Sequence, residues 1–200
     1  MGLKNYYIKD SIEVGCDEAG RGCLAGPVFA AAVILNPKKK YSQLDDSKKL
    51  SAKKREEIRQ WIEKNALAWA VGRVEAIEID QINILNASFL AMHRALDQLK
   101  INFDHLLIDG NKFKPYKDKL HYCIVKGDAK FKAIAAASIL AKTHRDEYMF
   151  KIAEDFPVYD WKNNKGYPTK KHQEAILKVG NCVHHRESFQ LKSLQMKLNI

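Results

Sequence analysis

Asp17 and Glu18 stand side by side at the end of a short apolar run, directly before the turn Gly20-Arg21-Gly22, in the stretch VGCDEAGRGCLAGP of residues 14–27. Asp109 closes a second apolar run, HLLID, and Gly110-Asn111 follows at once. Asp128 comes after Lys126-Gly127, at the end of a third run. Each of these acids ends or follows an expected strand beside a glycine. If the strand ends converge, the carboxylates share one small volume. Charges packed that closely repel and take up protons unless a cation compensates them. A hard divalent ion is the natural compensation, because Mg²⁺ takes a few carboxylates plus waters and phosphate oxygens. Two such ions roughly 4 Å apart can activate a water and stabilise a leaving oxygen in phosphodiester cleavage. The alternative is that each acid is an ordinary turn residue, since Asp beside Gly is common in turns. That alternative is weakest for the Asp17-Glu18 pair. Adjacent strand residues point to opposite faces, so both serve one site only where the strand stops, as the glycines indicate.

The glycines offer a second chemistry. Without a Cβ the chain can approach a ligand closely and adopt positive φ. Its N–H and C=O groups could then read a ribose 2′-hydroxyl, which both donates and accepts. Arg21 could hold a phosphate. A tight hairpin with a surface arginine is the plainer reading.

The elements that must position these groups follow from periodicity. Ser11–Asp17 alternates as a strand, and Val28–Leu35 is a continuous apolar run expected to be buried on both faces. The two are expected to form a hairpin. A basic loop leads to Ser51, a credible N-cap for a helix to Asn65 with Ile58, Trp61 and Ile62 inward. Leu67–Val74 reads as a third strand. Ile77–Ile82 reads as a short helix and Asn83–Lys100 as a longer one with Leu85, Phe89, Met92 and Leu96 on one stripe. His105–Asp109 and Leu120–Val125 read as strands. Phe131–Phe156 is a long alanine-rich helix, residues 157–168 a loop, and Thr169–Val179 a helix capped by Thr169. Strands alternating with helices imply an α/β sheet, whose ligands sit at the carboxyl ends of parallel strands.

Whole-chain properties agree with one globular unit of 200 residues. A net charge of +10 suits a polyanionic partner, although a lysine-rich solvated surface gives the same sum. Four cysteines without C-x-x-C spacing indicate neither zinc nor a disulfide framework and point to a reducing compartment. The N-terminus has no secretory apolar region and no run reaches membrane-spanning length. A cytoplasmic protein without membrane contact is expected.

The ordered set D-E-A-G-R-G, G-P-V, D-S-K-K-L, D-G-N, G-D-A-K and A-A-A-S-I-L-A-K-T-H-R-D, spread from about Val14 to His185, resembles ribonuclease HII. The resemblance implies a ribonuclease H-like fold: an α/β, five-stranded mixed sheet flanked by helices, with a helical C-terminal region. Residues 1–200 would form a single catalytic domain, with about 157–200 as a helical extension packed on it. It implies an endoribonuclease that hydrolyses RNA in RNA–DNA hybrids and nicks at single ribonucleotides embedded in duplex DNA. Products would carry a 5′-phosphate and a 3′-hydroxyl, and the cofactor would be Mg²⁺ or Mn²⁺. By motif match, Asp17, Glu18, Asp109 and Asp128 would bind the metal in a two-metal-ion mechanism. Gly20, Arg21 and Gly22 would contact the ribonucleotide and the junction after it. Tyr167, in a Gly-Tyr element before a basic helix, would stack on the next deoxyribose and sense a missing 2′-hydroxyl.

Further substrate contacts are expected at Lys48 in the D-S-K element, at Ser138 and Lys142 one helical turn apart, and at His172, as a phosphate contact or a surface residue. Arg145–Asp146 shares the long-helix motif, with Asp146 expected in an ion pair. His184-His185 does not have trustworthy metal spacing. The family often continues after H-R-x-S-F with Pro-Val, where this chain has Gln190-Leu191-Lys192. That leaves open the conformation of a tail that would be the place for a sliding-clamp or polymerase contact. The intact G-R-G and the short segment before the first strand favour ribonuclease HII over ribonuclease HIII. A monomer acting on a hybrid, or on duplex DNA with an embedded ribonucleotide, is expected.

Overall fold

The structure, a computed structural model, describes residues 2–44 and 50–189. Five strands form one mixed sheet in the order β3-β2-β1-β4-β5. β1 (Glu13–Ala19) pairs antiparallel with β2 (Val28–Ile34), with Asp17 opposite Ala31 and Glu18 opposite Ala30. β3 (Ala68–Val74) is antiparallel to β2, whereas β4 (His105–Asp109) runs parallel to β1 and β5 (Leu120–Ile124) parallel to β4. The carboxyl ends of β1, β4 and β5 therefore lie at one edge of the sheet, where Asp17 and Asp109 were expected to meet.

β1 extends two residues further than its alternation suggests, through Glu18 to Ala19, because pairing with the wholly buried β2 carries it past the acids. One face of the sheet packs on α2 (Ala76–Leu96), through Val14, Cys16, Ala91, Met92 and Leu106. The other packs on α1 (Ala52–Asn65) and α3 (Lys132–Asp155), through Ala31, Val33, Ile58, Ile62 and the alanines 135–137 and 141. Small residues let α3 lie directly on β1. A Cβ on Gly15 would come within 2.2 Å of the Ala133 carbonyl carbon, so the strand must carry glycine there.

Ser51 caps α1, accepting from the Lys54 N–H at 3.2 Å. α2 breaks where the sequence divides two helices: Asn83 has φ 63° and ψ 163°, and its side-chain oxygen accepts from the N–H groups of Leu85 and Asn86. The buried stripe of α2 differs from the expected one. Met92 and Leu96 face inward with Ala87, Ser88, Ala91 and Ala95, while Leu85 is 36% exposed. The kink rotates the second half of the helix and turns its small residues to the sheet. Gly72 on β3 meets them, since a Cβ there would touch the Ala91 carbonyl oxygen at 2.2 Å.

Beyond α3, the expected loop 157–168 is a 3-10 turn (Pro157–Tyr159) and the short helix α4 (Trp161–Asn164). α5 (Lys170–Val179) follows, capped by Thr169. These elements close a third apolar cluster around Trp161, Tyr159, Met149 and Leu24. Residues 181–189 run back across the molecule without helix, and Ala25 bridges to His185. The helical extension was expected to run to about residue 200, and residues 190–200 lie outside the described residues. Among the described residues no helix is long and apolar enough to cross a membrane.

Candidate active site

Asp17 sits at the last fully covered turn of β1, 6% exposed, with Glu18 following it. The Asp17 carboxylate accepts from the Glu18 N–H at 2.7 Å. The Ser138 hydroxyl on α3 donates to it as well. Burial pushes the Asp17 carboxyl well above the usual range, and the charges of Glu18 and Asp109 push it further; the Ser138 and Glu18 donors pull the other way. Burial likewise raises Glu18. The Arg21 guanidinium, 3.1 Å from Glu18 Oε1, opposes that shift and the charge of Asp109 adds to it. Three carboxyl groups from two parallel strands thus act on one another, as strand-end convergence requires.

Asp109 is fixed from the next strand over. Its Oδ1 accepts from the Gly127 N–H at 2.7 Å, and Gly127 opens the 3-10 turn that carries Asp128. Asp128 is 3% exposed. Lys126 enters the turn with φ 55°, which swings the chain from the end of β5 toward the end of β4. The turn acid of the third run is thereby tied to the strand acid of the second.

The connection between β1 and β2 is longer than a tight hairpin, running from Gly20 to Pro27. Gly20 has φ 96°, and a Cβ there would lie 2.0 Å from Arg145 Nε. Gly22, in contrast, has nothing within 4 Å of a Cβ position. One glycine is demanded by packing; the other leaves open space on the outer side. Arg21 is half exposed and turned toward Glu18.

Two buried guanidiniums, which the sequence did not single out for this task, hold the loop in place. Arg186 donates from Nη2 to the Gly20 carbonyl at 2.7 Å, from Nη1 to Arg21 at 2.9 Å, and from Nε and Nη2 to Gly26 at 3.0 and 2.8 Å. Burial pushes its pKa down to about 10. Arg145 on α3 donates to the carbonyls of Ala25, Pro27 and Lys165. It therefore joins the loop after Gly22 to the loop before Tyr167. A signal was present in the sequence: both arginines follow histidine in short polar motifs, yet nothing in the spacing says that a buried arginine will serve carbonyl oxygens.

Tyr167 is 39% exposed, with the cations of Lys142 and Arg145 each 5.8 Å from its ring centre. Lys142 pairs with Asp146 at 2.6 Å, the ion pair expected of Asp146. Two expected substrate contacts need correction. Ser138 is buried and bonded to Asp17, so it orients a carboxylate where a phosphate contact was expected. His172 is fully buried, its ring nitrogens engaged by Tyr167, Trp161 and His185, and is not presented to a phosphate. Lys48 lies outside the described residues. A groove of about 620 Å³ runs along α2, lined among others by Asp80, Asn83, His93 and Lys114, and includes none of the four acids. Chemistry, not concavity, distinguishes the acidic edge.

A five-stranded mixed sheet with acids at the carboxyl ends of its parallel strands is the ribonuclease H-like fold. The chain superposes on the ribonuclease H2 of Pyrococcus horikoshii with a TM-score of 0.76 at 23% identity, over 94% of this chain and 98% of that one. It superposes on Bst-RNase HIII, solved in complex with Mn²⁺, with a TM-score of 0.75 at 16% identity, over 96% of this chain and 71% of that one. The sequence itself narrows the class. It matches the ribonuclease HII family over residues 14–192 and is 60% identical over 198 residues to the ribonuclease HII of Phocaeicola vulgatus, covering 99% of this chain and 98% of that protein. The chain belongs to the ribonuclease HII family. It is a divalent-metal-dependent endonuclease that cleaves the RNA strand of RNA–DNA hybrids.

The acids suit such a metal by their chemistry. Among the described residues no three His, Cys, Asp or Glu side chains close into a ready-made cage. What is present is a set of oxygen donors whose mutual repulsion a cation would relieve. An ion that keeps several waters and shares its shell with substrate phosphate matches that donor set.

Proposed function

We propose that this enzyme nicks duplex DNA at single embedded ribonucleotides as well as cleaving hybrids, and that Asp17, Glu18, Asp109 and Asp128 hold two divalent ions. The observation that carries the metal assignment is the convergence of Asp17, Glu18 and Asp109 from two adjacent strands, where the charge of Asp109 acts on both buried neighbours and that of Glu18 on Asp17. Mg²⁺ or Mn²⁺ bound there supplies Lewis-acid stabilisation and a more acidic water, so that no histidine base is required.

The protein's own residues do the rest. Asp17 takes the central place because it faces both neighbours and is oriented by Ser138 and the Glu18 N–H. Asp109 and Asp128 stay in register through the Gly127 N–H. The free outer side of Gly22 lets backbone groups reach a ribose 2′-hydroxyl. Arg21 exchanges its pairing with Glu18 for a phosphate once the acids are compensated. Tyr167 offers an open ring face to the sugar that follows. The product would carry a 5′-phosphate, with the 3′-oxygen of the ribose as leaving group. Residues 157–189 belong to the same catalytic unit, since Arg145 and Arg186 tie them to the glycine loop. The basic stretches 38–54, 112–119 and 162–171 grip phosphates, which makes binding weaken with salt.

The test is a duplex containing one ribonucleotide, incubated with Mg²⁺ or Mn²⁺ and with chelator. A metal-dependent nick leaving a 3′-hydroxyl on the ribonucleotide is expected. Equal cutting of an all-DNA duplex, or a nick that survives chelation, would refute the proposal.

A further inference from the structure

Behind Tyr167 lies a chain of hydrogen bonds that the hydrolytic chemistry does not use. His172 Nδ1 is 2.9 Å from the Tyr167 carbonyl oxygen. His172 Nε2 is 3.0 Å from Trp161 Nε1 and 3.1 Å from His185 Nε2. His185 Nδ1 is 3.0 Å from the Cys182 backbone nitrogen and 3.3 Å from its sulfur. His172 is fully buried and His185 is 4% exposed.

The partners dictate where every proton sits. An indole N–H can only donate, so His172 Nε2 must be bare. A carbonyl oxygen can only accept, so His172 Nδ1 carries the proton. The contact between the two Nε2 atoms then makes His185 Nε2 the donor, so that it and the indole N–H share the one lone pair of His172 Nε2. That leaves His185 Nδ1 bare, facing the Cys182 N–H. Each ring has one proton and is neutral, and each tautomer is set by its neighbour.

The far end of this chain reaches the candidate site. The Tyr167 carbonyl also accepts from the Thr169 N–H at 2.8 Å, and the Thr169 side chain caps α5 by accepting from the His172 N–H. Moving the His172 ring therefore moves the Tyr167 backbone. We propose that His172 and His185 are positioning residues, a neutral relay whose fixed tautomers hold Tyr167 in place for the sugar it meets. The proposal rests on the assignment of Tyr167 as a substrate contact.

An added proton is poorly accommodated. On His172 it would occupy Nε2 and face two donors; on His185 it would occupy Nδ1 and face the Cys182 N–H, with only the weakly accepting Cys182 sulfur beside it. The titratable groups facing the pair are the Tyr159 phenol, whose ring meets both imidazoles, the Cys182 thiol, and His184 from the same loop. Burial holds both imidazoles below their ordinary range, His185 down to about 4, with the charges of His172 and His184 adding to it. As pH falls from 6.5 toward 4 the unfolded chain takes up protons that the folded relay refuses. Stability is therefore lost across that window and is fully present above it.

The experiment uses the full chain. Long-range ¹H–¹⁵N spectra of the histidine rings at pH 7.5 are expected to show His172 protonated at Nδ1 and His185 at Nε2. Either ring in the opposite tautomer, or charged, overturns the proposal. In parallel, His172→Asn keeps a donor for the Tyr167 carbonyl and His172→Phe does not. Asn is expected within about threefold of wild-type kcat/KM on the single-ribonucleotide duplex, and Phe about tenfold or more below it, the size expected of a misplaced contact. A Phe variant as active as wild type overturns the proposal; if that variant fails to fold, the ring spectra decide alone. Tyr167→Ala separates the two assignments. If it nicks normally, Tyr167 is not a substrate contact, whereas a loss in Tyr167→Ala without one in His172→Phe rejects the relay.

Discussion

The acidic edge and the region just beneath it bury charge in opposite ways. At the edge, burial raises the carboxyls of Asp17 and Glu18 above their ordinary range, and the charge of Asp109 pushes both further. Beneath it, Arg145 and Arg186 are at least as deeply buried, yet their N–H groups are matched to carbonyl oxygens of Gly20, Arg21, Ala25, Gly26, Pro27 and Lys165. A matched buried ion holds structure, because removing it leaves several acceptors unpaired. A mismatched set stores unfavourable energy that a ligand of opposite charge can release. The difference separates what binds from what positions: the same depth of burial serves scaffold in one region and affinity in the other.

The largest effect should come from neutralising the mismatched set. Asp109→Asn is expected to lower metal-dependent cleavage by about 10³-fold or more, comparable to losing a group that meets developing charge directly. The same change should raise the melting temperature of the metal-free protein at neutral pH, because one repelling charge is gone. Activity and thermal unfolding of the chelated protein check both halves. A variant that is less stable as well as inactive would mean the acids are matched after all.

Neutralising the matched set should do the reverse. Arg186→Met strips donors from the Gly20, Arg21 and Gly26 carbonyls and is expected to cost about 3 kcal/mol or more. For a chain of this size that corresponds to a fall in melting temperature of about 6–12 °C. Arg186→Lys should rescue little, since an ammonium cannot span the same fork of acceptors. Gly20→Ala joins the two regions. Its methyl would fall 2.0 Å from Arg145 Nε at a backbone φ of 96°. About 2–3 kcal/mol of strain and displacement is expected. Calorimetry ranks the variants, with Arg186→Met below Gly20→Ala.

How much of this was legible in the chain differs between the same two regions. The acids could be read because each ends an apolar run beside glycine, a pattern local in sequence. The strands themselves follow from those runs, and a helix boundary was expected at Asn83, where α2 breaks. The buried arginines could not be read. Arg186 and Gly20 are far apart in sequence and meet only because the last described segment crosses back over the β1–β2 connection. His172 and Ser138 were misjudged for the same reason: a polar residue on a helix looks exposed until the partner segment is known. The stripe of α2 failed because a kink changes the phase of a helix, which a fixed period of 3.6 residues does not anticipate.

The smallest effect sharpens the comparison most, because it alters how well one acid is matched without changing charge. Ser138→Ala removes a hydroxyl that donates to Asp17 and holds its carboxyl down against burial. Without that donor the carboxylate form is less favoured, and the already raised pKa rises further. Activity that requires ionised Asp17 is lost on the acid side as pH falls through that pKa, so the acid limb of the pH–rate profile should move to higher pH. At pH 8, well above the limb, the variant should come within about tenfold of wild type, the size of one net hydrogen bond to a charged group. A profile displaced to lower pH would mean that Ser138 accepts from Asp17 in the working enzyme. That result would make the carboxyl a donor and would move the central ionised role to Glu18 or Asp109.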